Sequence, residues 1–156
     1  MTAKSWIVTN NNGDIVIDSN NSDQQLSIAS ITKLMTAIIV LDAKQDINEI
    51  INGISRIDLL KLMLIRSDNK SAETLCNHYP EGRTNCISAM NKKAIELEML
   101  NTKYIDPTGL GVMNISTANE LVKLVIAASK YDLITSITNS SNSKIKINNK
   151  NLTLYN

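Results

Sequence analysis

The feature that most constrains the fold is a long apolar run at helical spacing, over residues 29–44. Leu34, Ile38 and Leu41 recur three or four positions apart, which places them on one face of an α-helix. Several other residues of the run are β-branched, and such residues have a low intrinsic helix propensity. Burial must therefore stabilise this segment, and we expect a buried helix here.

The rest of the chain alternates between helical patterns and short β-favouring runs. The predicted strands are 6–8, 15–17, 144–147 and 152–155, and the further predicted helices are 55–66, 71–77, 87–99 and 117–129. The first two strands form one hairpin and the last two form another. Ser55 and Asp58 have the spacing of a capping box at one helix start. Thr117 and Glu120 have the same spacing at another. The sequence therefore predicts an α+β fold, with residues 1–156 as a single domain.

The charge balance excludes one class of partner. The 156 residues include 16 Lys and Arg and 15 Asp and Glu, so the net charge is +1. No basic stripe interleaved with aromatic residues is present, and a nucleic acid is not an expected partner. No apolar run reaches the roughly 18 residues of a transmembrane segment, and no secretion signal is visible at the start. The localisation stays open: a signal has been removed, or the chain reaches its site of action without one.

Cys76 and Cys86 are the two cysteines of the chain. A disulfide between them would close a short loop in an oxidising compartment, but two buried thiols are the favoured interpretation. His78 is the single histidine, and no CxxC or HExxH spacing accompanies it. We therefore expect no metal and no cofactor, and we interpret His78 as a surface residue at a helix end.

Ser30 and Lys33 begin the apolar run and lie three positions apart. On a helix these positions project from nearly the same face, so the Lys33 amine can reach the Ser30 hydroxyl and act as its base. A helix N-cap serine beside a solvated lysine is the alternative interpretation. A second cluster, Ser67-Asp68-Asn69, stands at the junction of two predicted helices. Together, Ser-x-x-Lys and Ser-x-Asn indicate acyl transfer by an activated serine.

With these motifs the chain resembles the low-molecular-weight penicillin-binding proteins, the serine-type D-Ala-D-Ala carboxypeptidases of the peptidase S11 kind. Further segments resemble that family in the same order along the chain. These segments are residues 3–7, 28–37, 59–75, 90–94, 101–102, 106–110 and 116–118. The resemblance implies a DD-peptidase and β-lactamase-like fold, here mainly the helical lobe with an N-terminal β-hairpin and a reduced sheet.

The resemblance also implies a role for each residue of the motifs. Ser30 would attack the carbonyl of a D-Ala-D-Ala bond in a peptidoglycan stem peptide, and Lys33 would accept its proton. Ser67 would help to relay that proton to the departing amine, while Asn69 would hold the substrate amide and the Lys33 ammonium. An acyl-enzyme on Ser30 would follow, and β-lactams would be covalent inhibitors. Asp106 is interpreted as structural, as the cap of the turn that follows it.

The chain departs from the family pattern most clearly after its second motif. No Lys-Thr-Gly or Lys-Ser-Gly occurs after Ser67, and the sequence reaches Asn156 short of that strand. In relatives the strand recognises the substrate carboxylate and supplies one oxyanion-hole amide, a donor whose loss costs roughly 10² to 10³ in rate. The segment between Lys33 and Ser67 is also shorter than the family usually has. Lys70 stands in place of a common Asp, and Glu98 in place of a helix-ending Gly.

These departures leave a second function open. The chain would then be a catalytically impaired module that binds peptidoglycan or a protein, as a pseudoenzyme or a phage structural protein. A partner or a second copy of the chain could add a strand to an exposed sheet edge. A third interpretation is a fragment whose reading frame continues to a Lys-Thr-Gly. A β-lactamase is disfavoured, because no obvious deacylating Glu is found.

Overall fold

The computed structural model describes residues 2–148 and 150–156, and that part of the chain contains six α-helices and three small antiparallel sheets. The helices are α1 (Thr32–Asp42), α2 (Arg56–Ile65), α3 (Asn69–Asn77), α4 (Arg83–Glu96), α5 (Ala118–Ser129) and α6 (Asp132–Asn139). The strands are β1 (Trp6–Thr9), β2 (Val16–Asn20), β3 (Leu26–Ser27), β4 (Ile50–Ile51), β5 (Ile54–Ser55), β6 (Ile115–Ser116), β7 (Asn142–Ile147) and β8 (Lys150–Tyr155). The expected α+β class is confirmed.

Helix α1 lies in the core and contacts α2, α3, α4 and α5. Eight of its 11 residues are buried, so the helix is held by packing on several sides, as its β-branched composition requires. The buried helix predicted over residues 29–44 is confirmed, although it starts as a 3-10 turn at Ala29–Ile31. Ala29 has a φ of 44°, a left-handed conformation that costs a non-glycine residue about 1 kcal/mol or more. The chain is therefore strained directly before Ser30.

The helices after α1 follow the sequence patterns, with differences at their ends. Helix α4 begins at Arg83 and ends at Glu96, earlier at both ends than the predicted 87–99. Helix α6 was not predicted, because its Ser, Thr and Asn residues have low helix propensity. Burial of Ile134 and Ile137 against the core stabilises it instead. In the described residues no helix is both long and apolar enough to cross a bilayer.

Both predicted capping boxes form only their first half. Ser55 Oγ accepts from the Asp58 backbone N–H, and Thr117 Oγ1 accepts from that of Glu120, each at 3.2 Å. In the described residues neither carboxylate accepts from the backbone N–H of its capping residue, the bond that would complete the box. They instead accept hydrogen bonds from Lys61 and Lys146 in the case of Asp58, and from Asn101 and Thr102 in the case of Glu120. The acidic residues of both helix starts therefore join distant segments.

The two predicted hairpins are confirmed, but they belong to different sheets. Within residues 2–148 and 150–156, strands β1 and β2 form a two-stranded sheet of their own, with Trp6 opposite Asn20. Strands β7 and β8 extend a four-stranded sheet in the order β4-β5-β7-β8. Strands β3 and β6 form a third, two-stranded sheet that joins the segment before Ser30 to the segment before α5. This pairing brings residues 105–114 beside the start of α1.

The interior contains no phenylalanine and is filled by aliphatic residues and methionines, among them Met35, Met63, Met90 and Met99. The favoured interpretation of the cysteines was wrong. Cys76 on α3 and Cys86 on α4 form a disulfide, and both side chains are fully buried. The packing of the two helices brings their Cα atoms to 5.5 Å, which is the ordinary separation for a disulfide.

Candidate active site

Ser30 lies at the protein surface and Lys33 lies beneath it, although only one helical turn separates them. The 3-10 turn leaves the Ser30 side chain exposed, whereas Lys33 enters the core and is only 3% exposed. Lys33 Nζ lies 3.0 Å from Ser30 Oγ. The nucleophile can therefore be reached from solvent, while the amine beside it is shielded from water.

Ser67 reaches the same point from the junction between α2 and α3. Its Oγ donates to Ser30 Oγ at 2.9 Å. The backbone of Ser67 is left-handed, with a φ of 53°, which turns the chain sharply between the two helices. Asp68 then caps α3 by accepting from the Ser71 backbone N–H at 2.7 Å. A strained backbone thus precedes Ser30 and also presents Ser67.

The second partner of the Lys33 amine is a main-chain group. Lys33 Nζ donates to the Thr108 carbonyl at 2.8 Å, inside a buried environment. Thr108 belongs to a turn that Asp106 caps: Asp106 Oδ1 accepts from the Thr108 N–H, the Thr108 hydroxyl and the Gly109 N–H, each at 2.7 Å. The predicted capping role of Asp106 is therefore seen in the structure.

Burial lowers the pKa of the Lys33 amine, and the negative charges of Asp106 and Asp68 oppose that shift. A lowered pKa increases the neutral fraction, which is the form that can accept a proton from Ser30. Burial by itself would raise the pKa of Asp106. The hydrogen bonds from Thr108 and Gly109 nevertheless hold it below the ordinary value, so Asp106 is a carboxylate at neutral pH.

Two serine hydroxyls and one shielded amine thus form a hydrogen-bonded cluster at the surface. The family model for peptidase S11, described as D-alanyl-D-alanine carboxypeptidase, matches residues 1–53 and 48–156. The chain belongs to the peptidase S11 family. Two similar curated members are D-alanyl-D-alanine endopeptidases. That of Escherichia coli is 39% identical over 96% of this chain and 55% of its own length. That of Pseudomonas aeruginosa is 36% identical over 99% of this chain and 56% of its own.

The fold is similar to that of a solved penicillin-binding protein. Penicillin-binding protein D2 of Listeria monocytogenes, in its ampicillin-bound form, superposes with a TM-score of 0.88 at 24% identity. The match covers 99% of this chain and 72% of that one. The S11 chain described here spans about half the length of the curated relatives it matches.

The structure brings three of the four predicted site residues of this S11 chain into direct contact. Asn69, the fourth, is the first residue of α3 and is half-buried. In residues 2–148 and 150–156 its side chain makes no hydrogen bond to Lys33 or to Ser30, and the predicted role of Asn69 stays a prediction. His78 lies at the exposed C-terminal end of α3, where its Nδ1 is 2.9 Å from the Thr74 carbonyl oxygen.

Two residues near the site were missed by the sequence argument, Thr108 and Asn114. The turn around Thr108 was recognised from Asp-Pro-Thr-Gly, but no local signal shows that its carbonyl meets a lysine 75 positions earlier. Asn114 is fully buried, and its side-chain amide bonds to α1 and to the Asp106 backbone. A buried asparagine in a polar loop has no distinctive sequence pattern. Among the described residues there is also no cluster of metal-ligating side chains.

Proposed function

We propose that this chain performs serine acyl transfer on D-alanyl peptide bonds of peptidoglycan, with Ser30 as the nucleophile. The observation that carries the proposal is the contact of Ser30 Oγ with Lys33 Nζ at 3.0 Å and with Ser67 Oγ at 2.9 Å. A weak alcohol nucleophile needs a base within hydrogen-bond reach, and a shielded lysine can supply one. The alternative of an N-cap serine beside a solvated lysine does not fit, because Lys33 is buried.

In the proposed acylation the neutral Lys33 amine takes the proton of Ser30 as Ser30 Oγ bonds to the substrate carbonyl carbon. The peptide C–N bond then breaks, and the departing amine receives a proton through the Ser67 hydroxyl. Water, or a second amine, would later take the acyl group from Ser30. Asn69 is proposed to hold the substrate amide from the start of α3.

The substrate class is supported by the family and by the two relatives named D-alanyl-D-alanine endopeptidases. Those relatives are nearly twice as long as this chain, so their substrates are proposals here. We favour cleavage of a bond between two stem peptides over removal of a terminal D-Ala, because both relatives are named endopeptidases. β-Lactams are proposed as covalent inhibitors, as the ampicillin-bound relative suggests.

The test is covalent labelling of the intact 156-residue chain with a fluorescent penicillin, followed by intact-mass measurement. We expect a mass increase of one penicillin, and no increase in Ser30→Ala. The matched control is Ser129→Ala, because Ser129 is an exposed serine whose hydroxyl bonds to the Ile126 carbonyl of its own helix. That variant should label like the unmodified chain. The proposal fails if the unmodified chain stays unlabelled while a family member labels under the same conditions.

Turnover separates the proposal from the binding-module alternative. Purified cross-linked and pentapeptide muropeptides are incubated with the chain, and the products are separated by chromatography. Cleavage of the cross-link supports an endopeptidase, and release of D-Ala supports a carboxypeptidase. If penicillin labels the chain but neither product forms, the binding-module alternative replaces the proposed hydrolysis. The single-domain organisation over residues 1–156 also stays a proposal, for which one cooperative thermal transition is the expected result.

A further inference from the structure

Asn114 attaches the loop over residues 105–114 to the chain on both sides of the nucleophile, through its side-chain amide and its backbone carbonyl. Asn114 Nδ2 donates to Thr32 Oγ1 at 3.1 Å, and the Asn114 carbonyl accepts from the Ile28 N–H at 3.1 Å. Ile28 precedes the strained Ala29, and Thr32 follows Ser30 by two positions. Asn114 therefore holds the chain before and after Ser30 without touching it.

The same asparagine also holds the loop together. Its Oδ1 accepts from the Ile105 N–H at 2.8 Å and the Asp106 N–H at 3.2 Å, and its Nδ2 donates to the Asp106 carbonyl at 2.8 Å. Every hydrogen-bonding site of this buried amide is thus used. An amide that is fully bonded in the core has one orientation, so it fixes the position of Asp106 relative to α1.

Asp106 transmits that position to the Thr108 carbonyl. Its Oδ1 accepts the three hydrogen bonds that close the turn, and the turn directs the carbonyl at Lys33 Nζ. Thr36, one helical turn beyond the lysine, donates from Oγ1 to the Pro107 carbonyl at 2.8 Å. Two neighbouring carbonyl groups of the loop, those of Pro107 and Thr108, therefore accept hydrogen bonds from side chains of α1.

In the hydrogen bond between Lys33 Nζ and the Thr108 carbonyl, the lysine must be the donor. A neutral amine has two N–H groups and one lone pair, and a carbonyl oxygen can only accept. The Thr108 oxygen therefore takes an N–H of Lys33 and excludes the lone pair from that side. With one N–H held there, the lone pair can face Ser30 Oγ, which lies 3.0 Å away.

We infer that Asn114 and Asp106 are positioning residues for the acylation, because they hold the Thr108 carbonyl on Lys33 and so orient the amine toward Ser30. The inference rests on the proposed function of Ser30 and Lys33. It assigns to two residues outside the Ser-x-x-Lys and Ser-x-Asn motifs a part in the reaction, although neither contacts the nucleophile.

Charge gives Asp106 a second, separable effect. Two carboxylates face the amine, Asp106 from the loop and Asp68 from the start of α3, and Arg83 at the start of α4 faces Asp106. Asp106→Asn keeps an acceptor oxygen for the turn but removes the negative charge. Because that charge favours the ammonium form, its removal lowers the pKa of Lys33 further. The acid limb of the labelling rate against pH should therefore move to lower pH in Asp106→Asn.

The closing experiment compares Asn114→Ala, Asp106→Ala and Asp106→Asn with a matched control, Asn91→Ala. Asn91 is also a partly buried asparagine that bonds to this region, but at Tyr104, before the loop begins. We expect the penicillin-labelling rate to fall about 10²-fold in Asn114→Ala and Asp106→Ala, as for a misplaced catalytic group. Asn91→Ala should lose stability with an unchanged rate, and Asp106→Asn should keep most of the rate.

A second readout does not depend on labelling. In protein with ¹³C-labelled lysine, a held Lys33 side chain gives two distinct Hε resonances on Cε, and a freely rotating one gives a single averaged resonance. We expect two resonances in the unmodified chain, Asn91→Ala and Asp106→Asn, and one in Asn114→Ala and Asp106→Ala. If the alanine variants do not fold, Asn114→Asp serves, because it keeps the acceptor for the Ile105 and Asp106 N–H groups but loses both Nδ2 donors.

The inference is overturned if Asn114→Ala and Asp106→Ala, or Asn114→Asp in their place, keep both Hε resonances. It is also overturned if their loss of labelling is no greater than that of Asn91→Ala. Absence of labelling in the unmodified chain would instead contradict the proposed function, while the Hε resonances would still test the positioning.

Discussion

The 105–114 loop and the N-terminal hairpin of β1 and β2 differ in backbone regularity and in burial. The hairpin has regular strands, yet all five residues of β2 are exposed, and Ile17 is 67% exposed. The loop contains no helix or strand, yet Thr108 and Asn114 within it are buried. In these two regions, therefore, regular backbone pairing does not coincide with burial.

The difference shows where the restraints on each region originate. The hairpin is held by a backbone ladder, and substitutions at its exposed positions are expected to change stability by no more than about 0.5 kcal/mol. The loop is held by side-chain groups of a few particular residues, each of which satisfies several main-chain N–H or C=O groups. We expect substitutions in the loop to be costly and substitutions on the exposed hairpin face to be tolerated.

The largest effect is expected from Gly109→Ala. Gly109 has a φ of 73°, and an added Cβ would overlap the Ala29 carbonyl and lie 2.7 Å from Thr32 Oγ1. Strain and backbone overlap together should cost about 3 to 5 kcal/mol of unfolding free energy, measured by urea denaturation. Penicillin labelling should also be lost, because the overlap displaces the residue before Ser30.

Gly82→Ala is the matched control for that substitution. Gly82 has a similar φ of 84°, but no atom lies within 4 Å of an added Cβ. With a ψ of −167° this residue lies in a region that essentially only glycine adopts, so we expect a cost of about 1 to 3 kcal/mol, below that at Gly109, and unchanged labelling. Equal costs at the two glycines would show that close packing of the loop against Ala29 contributes nothing, and the contrast between loop and hairpin would lose its basis.

A smaller effect is expected from Thr36→Val, which keeps the shape of the side chain but removes the donor to the Pro107 carbonyl. A buried carbonyl left without its partner costs about 1 to 3 kcal/mol. Thr135→Val is the control, because Thr135 bonds to carbonyls of its own helical turn. We expect that control to be nearly neutral in thermal denaturation. Similar melting temperatures for both variants would count against a strongly held loop.

The smallest effect is expected from Ile17→Thr on the hairpin. Both residues are β-branched and the site is exposed, so the unfolding free energy should change by no more than about 0.5 kcal/mol. Fluorescence of Trp6, the single tryptophan and a residue of β1, reports unfolding of the hairpin directly. A loss above about 1 kcal/mol would show that this face is covered in solution, and sedimentation of the chain would then be expected to reveal association.

Local patterns predicted most of the secondary structure. The alternating segments at both ends form hairpins, and the apolar run forms the buried helix, because each pattern repeats over enough residues to be unambiguous. Helix α6 and the missing halves of the capping boxes were not predictable. In each case a partner distant in sequence decides the outcome: the core for Ile134 and Ile137, and remote donors for Asp58 and Glu120.

The pairing of the cysteines also could not be predicted from local sequence. Sequence spacing allowed both a disulfide and two thiols, and nothing local distinguished them. The crossing of α3 and α4 places Cys76 and Cys86 at bonding distance. The disulfide joins the far end of the helix that follows Ser67 to its neighbour.

What the sequence by itself determined is the pairing of Ser30 with Lys33, because positions three apart on a helix share a face whatever surrounds them. It also identified Ser67 and the Asp106 turn as features worth attention. Only the tertiary structure decided that Lys33 is buried, that Ser67 reaches Ser30, and that the Thr108 carbonyl holds the amine. Those relations join segments 37 and 75 residues apart, and their geometry follows from packing of the whole core rather than from any local pattern.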